Sequence, residues 1–316
     1  MQNETLSPVL SRLLIVSPCR NEAALMERTL DAMVGQTVRP TLWVIVDDGS
    51  TDATPEILRK YSESHDWIRV HRREDRGHRA VGPGVVDAFY SGLESVDDWQ
   101  SYDVLGKFDL DIDLPPKYLE TLLTRFGEDP RLGTCSGKPY VRRGDRLVSE
   151  RRGDEMSVGM TKLWRTACFQ DIRGIVRGVM WDAIDCHMAR LHGWRAISWD
   201  APDLNFEHLR PMGSSEVSIH EGRRRHGRGQ WFMGSDPLYF AATAVFRALE
   251  PPYVTGGVSM LQGYLGAWLK GAPQVENPEL RRFIRSYQRR ALWKGRAKAI
   301  AEIEANWPQK PNESAS

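Results

Sequence analysis

The sequence predicts an α/β fold, a mixed, mostly parallel sheet flanked by helices, with a C-terminal helical extension. Three observations carry this. Short apolar runs and helical patterns alternate through the first half of the 316-residue chain, which is the pattern of a parallel sheet covered on both faces. Polar or acidic clusters close three of the apolar runs. Beyond about residue 236 the apolar segments take helical spacing, and basic residues gather behind them.

The elements follow in order. "RLLIVSP" is rich in Leu, Ile and Val and ends at Pro18, so it reads as a buried strand. "EAALMERTLDAMVGQ" spaces Leu25, Leu30 and Met33 as a helix does. "TLWVIVDDGSTD" is a second buried strand stopped by a polar turn, and "ATPEILRKYSES" a helix with Asp52 as a plausible N-cap. "WIRVHRR" is a third strand, "GPGVVDAFYSGLES" a third helix and "YDVLGKFDLD" a fourth strand. "PPKYLETLLTRFGED" carries prolines in its first turn, where a helix accepts them. "GTCSGKPYVRRGDRLVSE" reads as strands around a turn, and "WDAIDCHMARLHGWRAISW" as a helix ended by Gly193 and then a strand. Two apolar helices broken at Pro251 and Pro252 follow, then a basic helix and a more balanced one. "PQKPNESAS" is expected to be a disordered tail. The expected division is an α/β domain over 1–235, a helical segment over 236–306 and the tail over 307–316.

Hydrophobic content of 41% and charged content of 27% suit a globular protein with a substantial core. A formal net charge of +1 gives no reason to expect nucleic acid as a partner. The four cysteines show no CxxC pair, which suits free thiols in a reducing compartment. There is no signal-peptide pattern and no run long enough to span a bilayer, so the expected location is the cytoplasm. Tyr253, Tyr264, Leu265 and Trp268, followed by a run of Arg and Lys from Arg281 to Lys298, add an expected peripheral contact with an anionic membrane on its inner face. A helical hairpin packed on the core, or a dimer contact, is the alternative for that region.

In open α/β sheets, ligands bind beyond the carboxyl ends of the strands. "SPCRNE", "VDDGSTD" and "FDLDID" lie at three such ends and would converge at one edge. In "KFDLDIDLPPKYLE", Asp109, Asp111 and Asp113 alternate, so their carboxylates share one face of an extended chain. A hard divalent cation, Mg²⁺ or Mn²⁺, would relieve that repulsion and bridge to a diphosphate. A carboxylate at Asp47 or Asp48 has the chemistry to accept hydrogen bonds from a ribose or base. Taken singly, each cluster is also explained by a solvated turn or a helix cap.

Together and in this order, "SPCRNEA", "VIVDDGSTDAT" and "KFDLDIDLPPKYLE" resemble family 2 glycosyltransferases with the GT-A fold, over about Arg12 to Gly213. The resemblance implies an inverting, metal-dependent enzyme. Its donor would be a nucleotide-diphosphate sugar, expected to be UDP-linked, and its acceptor a glycan or polyprenyl-linked sugar in surface polysaccharide biosynthesis. It places Pro18, Glu22 and Asp48 at the nucleoside, Asp109 and Asp111 at the metal, and His208 as a further metal ligand. Arg76 and Arg79 fall where the family often has a basic residue facing the nucleotide. The general base of the family opens a helix in an "ED" pair; counting back from Gly193 and Trp194 gives Asp182, with Trp181 in place of the Glu and Asp185 as second choice. The arginines of "HEGRRRHGRGQWFMG" would suit a phosphate. The departure at Trp181 keeps open a catalytically silent relative that binds nucleotide or membrane. A nucleotidyltransferase would want a Gly-rich basic loop after the first strand, and "SPCRNEA" is not one.

Overall fold

The computed structural model describes residues 12–75, 77, 82–210 and 218–308. The strands are β1 (Leu13–Cys19), β2 (Leu42–Asp47), β3 (Ile68–Arg72), β4 (Val104–Phe108), β5 (Ile112–Asp113), β6 (Leu132–Ser136), β7 (Lys138–Arg143), β8 (Arg146–Ser149), β9 (Thr161–Arg165), β10 (Arg195–Ser198) and β11 (Asn205–His208). The helices are α1 (Met26–Val34), α2 (Thr54–Ser64), α3 (Pro83–Glu94), α4 (Tyr118–Glu128), α5 (Thr166–Asp171), α6 (Trp181–Leu191), α7 (Ile219–Met233), α8 (Pro237–Ala248), α9 (Thr255–Leu269), α10 (Pro278–Lys294) and α11 (Arg296–Ala305).

The main sheet has seven strands in the order β10-β6-β9-β4-β1-β2-β3. All its pairs are parallel except those of β9, which runs antiparallel to both β4 and β6. The unbroken apolar runs of β1 and β2 reflect burial on both faces. Alternate residues go to opposite sides. Leu13, Ile15, Trp43 and Ile45 join one core with side chains of α1, α2 and α4. Leu14, Val16, Val44 and Val46 join the other with α3, α5 and α6. A smaller sheet, β5-β11-β7-β8, draws its strands from between residues 112 and 208. All four cysteines are buried and free.

The C-terminal helices pack back on this body. Ile184 of α6 shares a cluster with Met233, Val275, Leu280 and Ile284, so α10 is seated against α6. Helices α7 and α9 approach backbone to backbone: a Cβ on Gly227 would lie 2.0 Å from the Met260 carbonyl oxygen, and one on Gly263 2.0 Å from that of Arg224. The expected boundary at 235 therefore falls between α7 and α8, which α9 joins. The arginine-rich "HEGRRRHGRGQWFM" lies in α7, whose N-cap Ser218 hydroxyl accepts from the Glu221 amide. In its first turns, Arg224 and Arg228 pair with Glu221. Of the expected tail, Trp307 lies beneath the Arg131 guanidinium at 5.7 Å; residues 309–316 fall outside the described residues.

Candidate active site

Register builds the site. Pro18 lies beside Val46, and Cys19 beside Asp47, while Val16 on the other edge of β1 lies beside Lys107. The carboxyl ends of β1, β2 and β4 thus form one row, and the three clusters meet there. The Asp47 carboxylate accepts from the Ser50 amide (2.8 Å), closing the turn after β2. Asp48 is buried and accepts from Arg73 Nη1 (2.9 Å), and Arg20 donates to its carbonyl (2.6 Å). Glu22 follows β1. Its amide donates to the Thr54 hydroxyl (2.9 Å), and its carboxylate is held by Arg210 Nη2 at 2.5 Å. Pro18 is half-buried at the end of β1. Arg76 and Arg79 lie outside the described residues.

The alternation read from "FDLDID" is present. Leu110, Ile112 and Leu114 are buried, whereas Asp109, Asp111 and Asp113 are half-exposed. Asp113 is drawn away from its neighbours by Arg28 (2.5 Å). Asp109 is paired with Lys107 from its own strand. Pairing of β11 with β5 sets His208 opposite Ile112, which brings His208 Nε2 to 3.8 Å from Asp111 Oδ2, with Arg210 Nε at the same distance. His208 also hydrogen-bonds Glu150 through Nδ1 (3.3 Å).

Electrostatics split the two carboxyls. Burial pushes Asp109 up; Lys107 opposes this and the Asp111 charge adds to it. Burial also acts on Asp111, but the His208 hydrogen bond and charge, with Arg210, outweigh it and hold Asp111 below the usual carboxylate range. Burial lowers His208, yet Asp111 and Glu150 raise it to about 9. Two carboxylates are the right donor chemistry for a hard divalent cation, and a neutral imidazole beside them would add a nitrogen donor, which suits Mn²⁺ better than Mg²⁺. In the described residues no three of the His, Cys, Asp and Glu side chains close into a metal-sized cluster. The neutralising charge here comes from Lys107, His208 and Arg210. The residues fit a cation, which would take the place of the His208 proton.

The candidate bases part company. Asp185 is fully buried, with Lys162 Nζ 2.6 Å from one carboxylate oxygen and Trp164 Nε1 2.8 Å from the other. Both oxygens are occupied and no hydroxyl can reach them, so the sequence expectation of Asp185 as a base is not met by its placement. Asp182, in the first turn of α6, is half-exposed, and its carboxylate has no hydrogen bond or ion pair to any described residue. It reaches the strand edge through Gly159: a Cβ there would be 3.1 Å from the Asp182 Cβ, and the Gly159 carbonyl accepts from Lys107 (3.1 Å). Trp181, standing where the family has Glu, has its ring 5.5 Å from both the Lys107 and Lys162 ammoniums. It thus joins the cation of Asp109 to the cation of Asp185. Residue-by-residue reading missed Lys107 and Arg210, though both lie inside stretches whose carboxylates or histidine it had singled out.

Comparison with solved structures shows the GT-A glycosyltransferase fold. The mannosyltransferase PcManGT of Pyrobaculum calidifontis, solved with GDP-Man and Mn²⁺, is 19% identical with a TM-score of 0.50 over 95% of this chain and 88% of its own. Residues 1–349 of Staphylococcus aureus TarS, solved with UDP, are 16% identical with a TM-score of 0.51 over 93% of this chain and 90% of that one. The family model "Glycosyl transferase family 2" matches residues 14–183, more than half of the chain, and the chain belongs to that family. A poly-beta-1,6-N-acetyl-D-glucosamine synthase of Staphylococcus aureus (strain COL) is 28% identical over 133 residues, 42% of this chain. The matched part spans 29% of that relative, under a third of its length.

Proposed function

We propose that this family 2 chain is an inverting glycosyltransferase. It moves a sugar from a nucleotide-diphosphate donor, UDP-linked, to a hydroxyl of a glycan or lipid-linked acceptor in surface polysaccharide assembly. The observation that carries the reading is the meeting of three strand-end clusters at one edge, where Asp109 and Asp111 lie beside the cations of Lys107, His208 and Arg210. The relative named as a poly-N-acetylglucosamine synthase and the TarS complexes with UDP and UDP-GlcNAc support the donor class.

Pro18, Glu22 and Asp48 receive the nucleoside, with Arg73 and Arg210 fixing the two carboxylates and Arg20 the Asp48 carbonyl. Asp109, Asp111 and His208 would hold Mg²⁺ or Mn²⁺; the mannosyltransferase PcManGT, solved with Mn²⁺, supports a divalent cation in an enzyme of this fold. A cation there would offset charge developing on the departing diphosphate. Asp182 takes the proton of the acceptor hydroxyl as its oxygen bonds to the anomeric carbon, while the diphosphate oxygen leaves from the opposite face. Asp185 positions this helix by anchoring Lys162, whose ammonium also donates to the Asp182 carbonyl (2.6 Å).

Calorimetry with a panel of nucleotide diphosphates and nucleotide sugars, with and without Mn²⁺, tests the donor site. Metal-dependent binding of one nucleotide is expected, and Asp182→Asn should keep that binding while losing transfer by about 10²–10⁴-fold. Turnover unchanged by Asp182→Asn would remove the base assignment. Absence of binding by every nucleotide would favour the silent relative that Trp181 leaves open.

A further inference from the structure

Of eighteen large apolar side chains exposed among the described residues, eleven lie between Leu238 and Leu269. They form stripes. On α8, Leu238, Val245 and Leu249 recur on the outward face, and on α9 Val258, Leu265 and Trp268 do the same. The inward faces lock the pair together, with Phe240 stacked on Tyr264 at 4.3 Å. Helix α9 has no charged residue, and α8 has only Arg247, which is paired with Glu250. A soluble helix keeps its polar residues outward; this hairpin is apolar on both sides. Patches of this kind mark an interaction surface.

Beside the hairpin runs a cationic stripe. Arg282, Arg285, Arg289 and Trp293 follow one another at three- and four-residue steps, so they share a face of α10. A groove of about 430 Å³ is lined by Arg282, Arg285, Ser286, Arg289 and Arg290. Trp293 is 88% exposed at its end. Arg289 donates to Asp236, the N-cap of α8, at 2.7 Å, so this stripe adjoins the turn from which Leu238 projects. Among the described residues no helix is long and apolar enough to cross a membrane.

We propose that the outer face of the α8–α9 hairpin, with the arginine stripe of α10, docks on an anionic lipid bilayer. The apolar stripes enter the boundary of headgroups and acyl chains, and the arginines meet lipid phosphates and acidic headgroups. Charge complementarity selects a bilayer over a second copy of the chain, because a two-fold contact would bring the same arginines together. The inference stands without the donor or the base assigned above.

The test is co-sedimentation of the full chain with vesicles of phosphatidylcholine plus phosphatidylglycerol, and of phosphatidylcholine alone. Two double variants at exposed positions are compared with it, Leu249→Glu with Trp268→Glu and Arg282→Glu with Arg290→Glu, each checked for fold by circular dichroism. Binding is expected on the anionic vesicles and to be roughly tenfold weaker for either variant, for neutral lipid and at high salt. No binding to anionic vesicles, or equal binding by all three proteins, overturns the proposal. So does a concentration-dependent dimer, seen by light scattering, that only the wild-type chain forms.

Discussion

Asp182 and Asp185 are one helical turn apart, yet only Asp182 keeps its carboxylate oxygens without a hydrogen bond to any described residue. The difference lies in what surrounds them. Asp185 is fixed by Lys162 and Trp164 in the core, and Lys162 stays above the ordinary lysine range because Asp185, Cys186 and Asp182 outweigh its burial. Removing one member of a buried pair leaves the other charge uncompensated. Asp185→Asn should therefore lower unfolding stability by about 3–5 kcal/mol, read by urea denaturation, whereas Asp182→Asn should change it by less than about 0.5 kcal/mol. Equal effects would mean that the two carboxylates share one environment. Sequence spacing alone cannot make this distinction, since the lysine that separates them sits on β9, a strand the linear reading did not identify.

At the scale of elements, β1 and β2 were legible because each is an unbroken apolar run buried on both faces, whereas β3, an edge strand with exposed arginines, showed only as a short Ile–Val alternation. The order of the acidic clusters was legible because parallel strands put their carboxyl ends on one edge. Pairing of β5 with β11 was not, since both are very short and nearly a hundred residues apart. Its consequence, His208 opposite Ile112, could be placed only by family likeness. The helix of "HEGRRRHGRGQWFM" was hidden by its glycines, which weaken helix propensity but here allow close crossing of α9. Two glycines of α9 give a contrast. Gly263→Ala would push a Cβ into the Arg224 carbonyl and should cost about 1–3 kcal/mol. Gly266→Ala meets nothing within 4 Å and should stabilise by about 0.5–1 kcal/mol. Thermal melts of the two variants check both signs; destabilisation by both would point away from the crossing as the cause.

Across the whole molecule, the seam between the catalytic body and the helical extension has a pH signature. His187 of α6 is buried against Tyr287 (ring centroids 5.3 Å apart) and Phe283 of α10, and burial, with Arg190 and Lys162, lowers it to about 3. The unfolded chain takes up this proton near pH 6.5. Between these values the unfolded state binds more protons, so stability is full above about pH 6.5 and falls as pH drops towards 3. From pH 7 to 5 the loss from this group is about 2 kcal/mol. His226 of α7, lowered to about 4 by burial and by Arg152, Arg247 and Arg223, adds to the same window. Urea melts at the two pH values should show a shallower loss for His187→Leu than for the wild-type chain; an unchanged slope would exclude the seam as its source.

The ion pair between Glu22 and Arg210 joins residues 188 positions apart. During synthesis at roughly 5–20 residues per second, the early carboxylate waits on the order of 10–40 s for its arginine to be made. Asp111 waits about half as long for His208 and Arg210. The nascent chain can form the strands of its main sheet well before Arg210 can pair with Glu22 and Asp111, so these two carboxylates are among the last groups of residues 1–235 to gain their counter-charge.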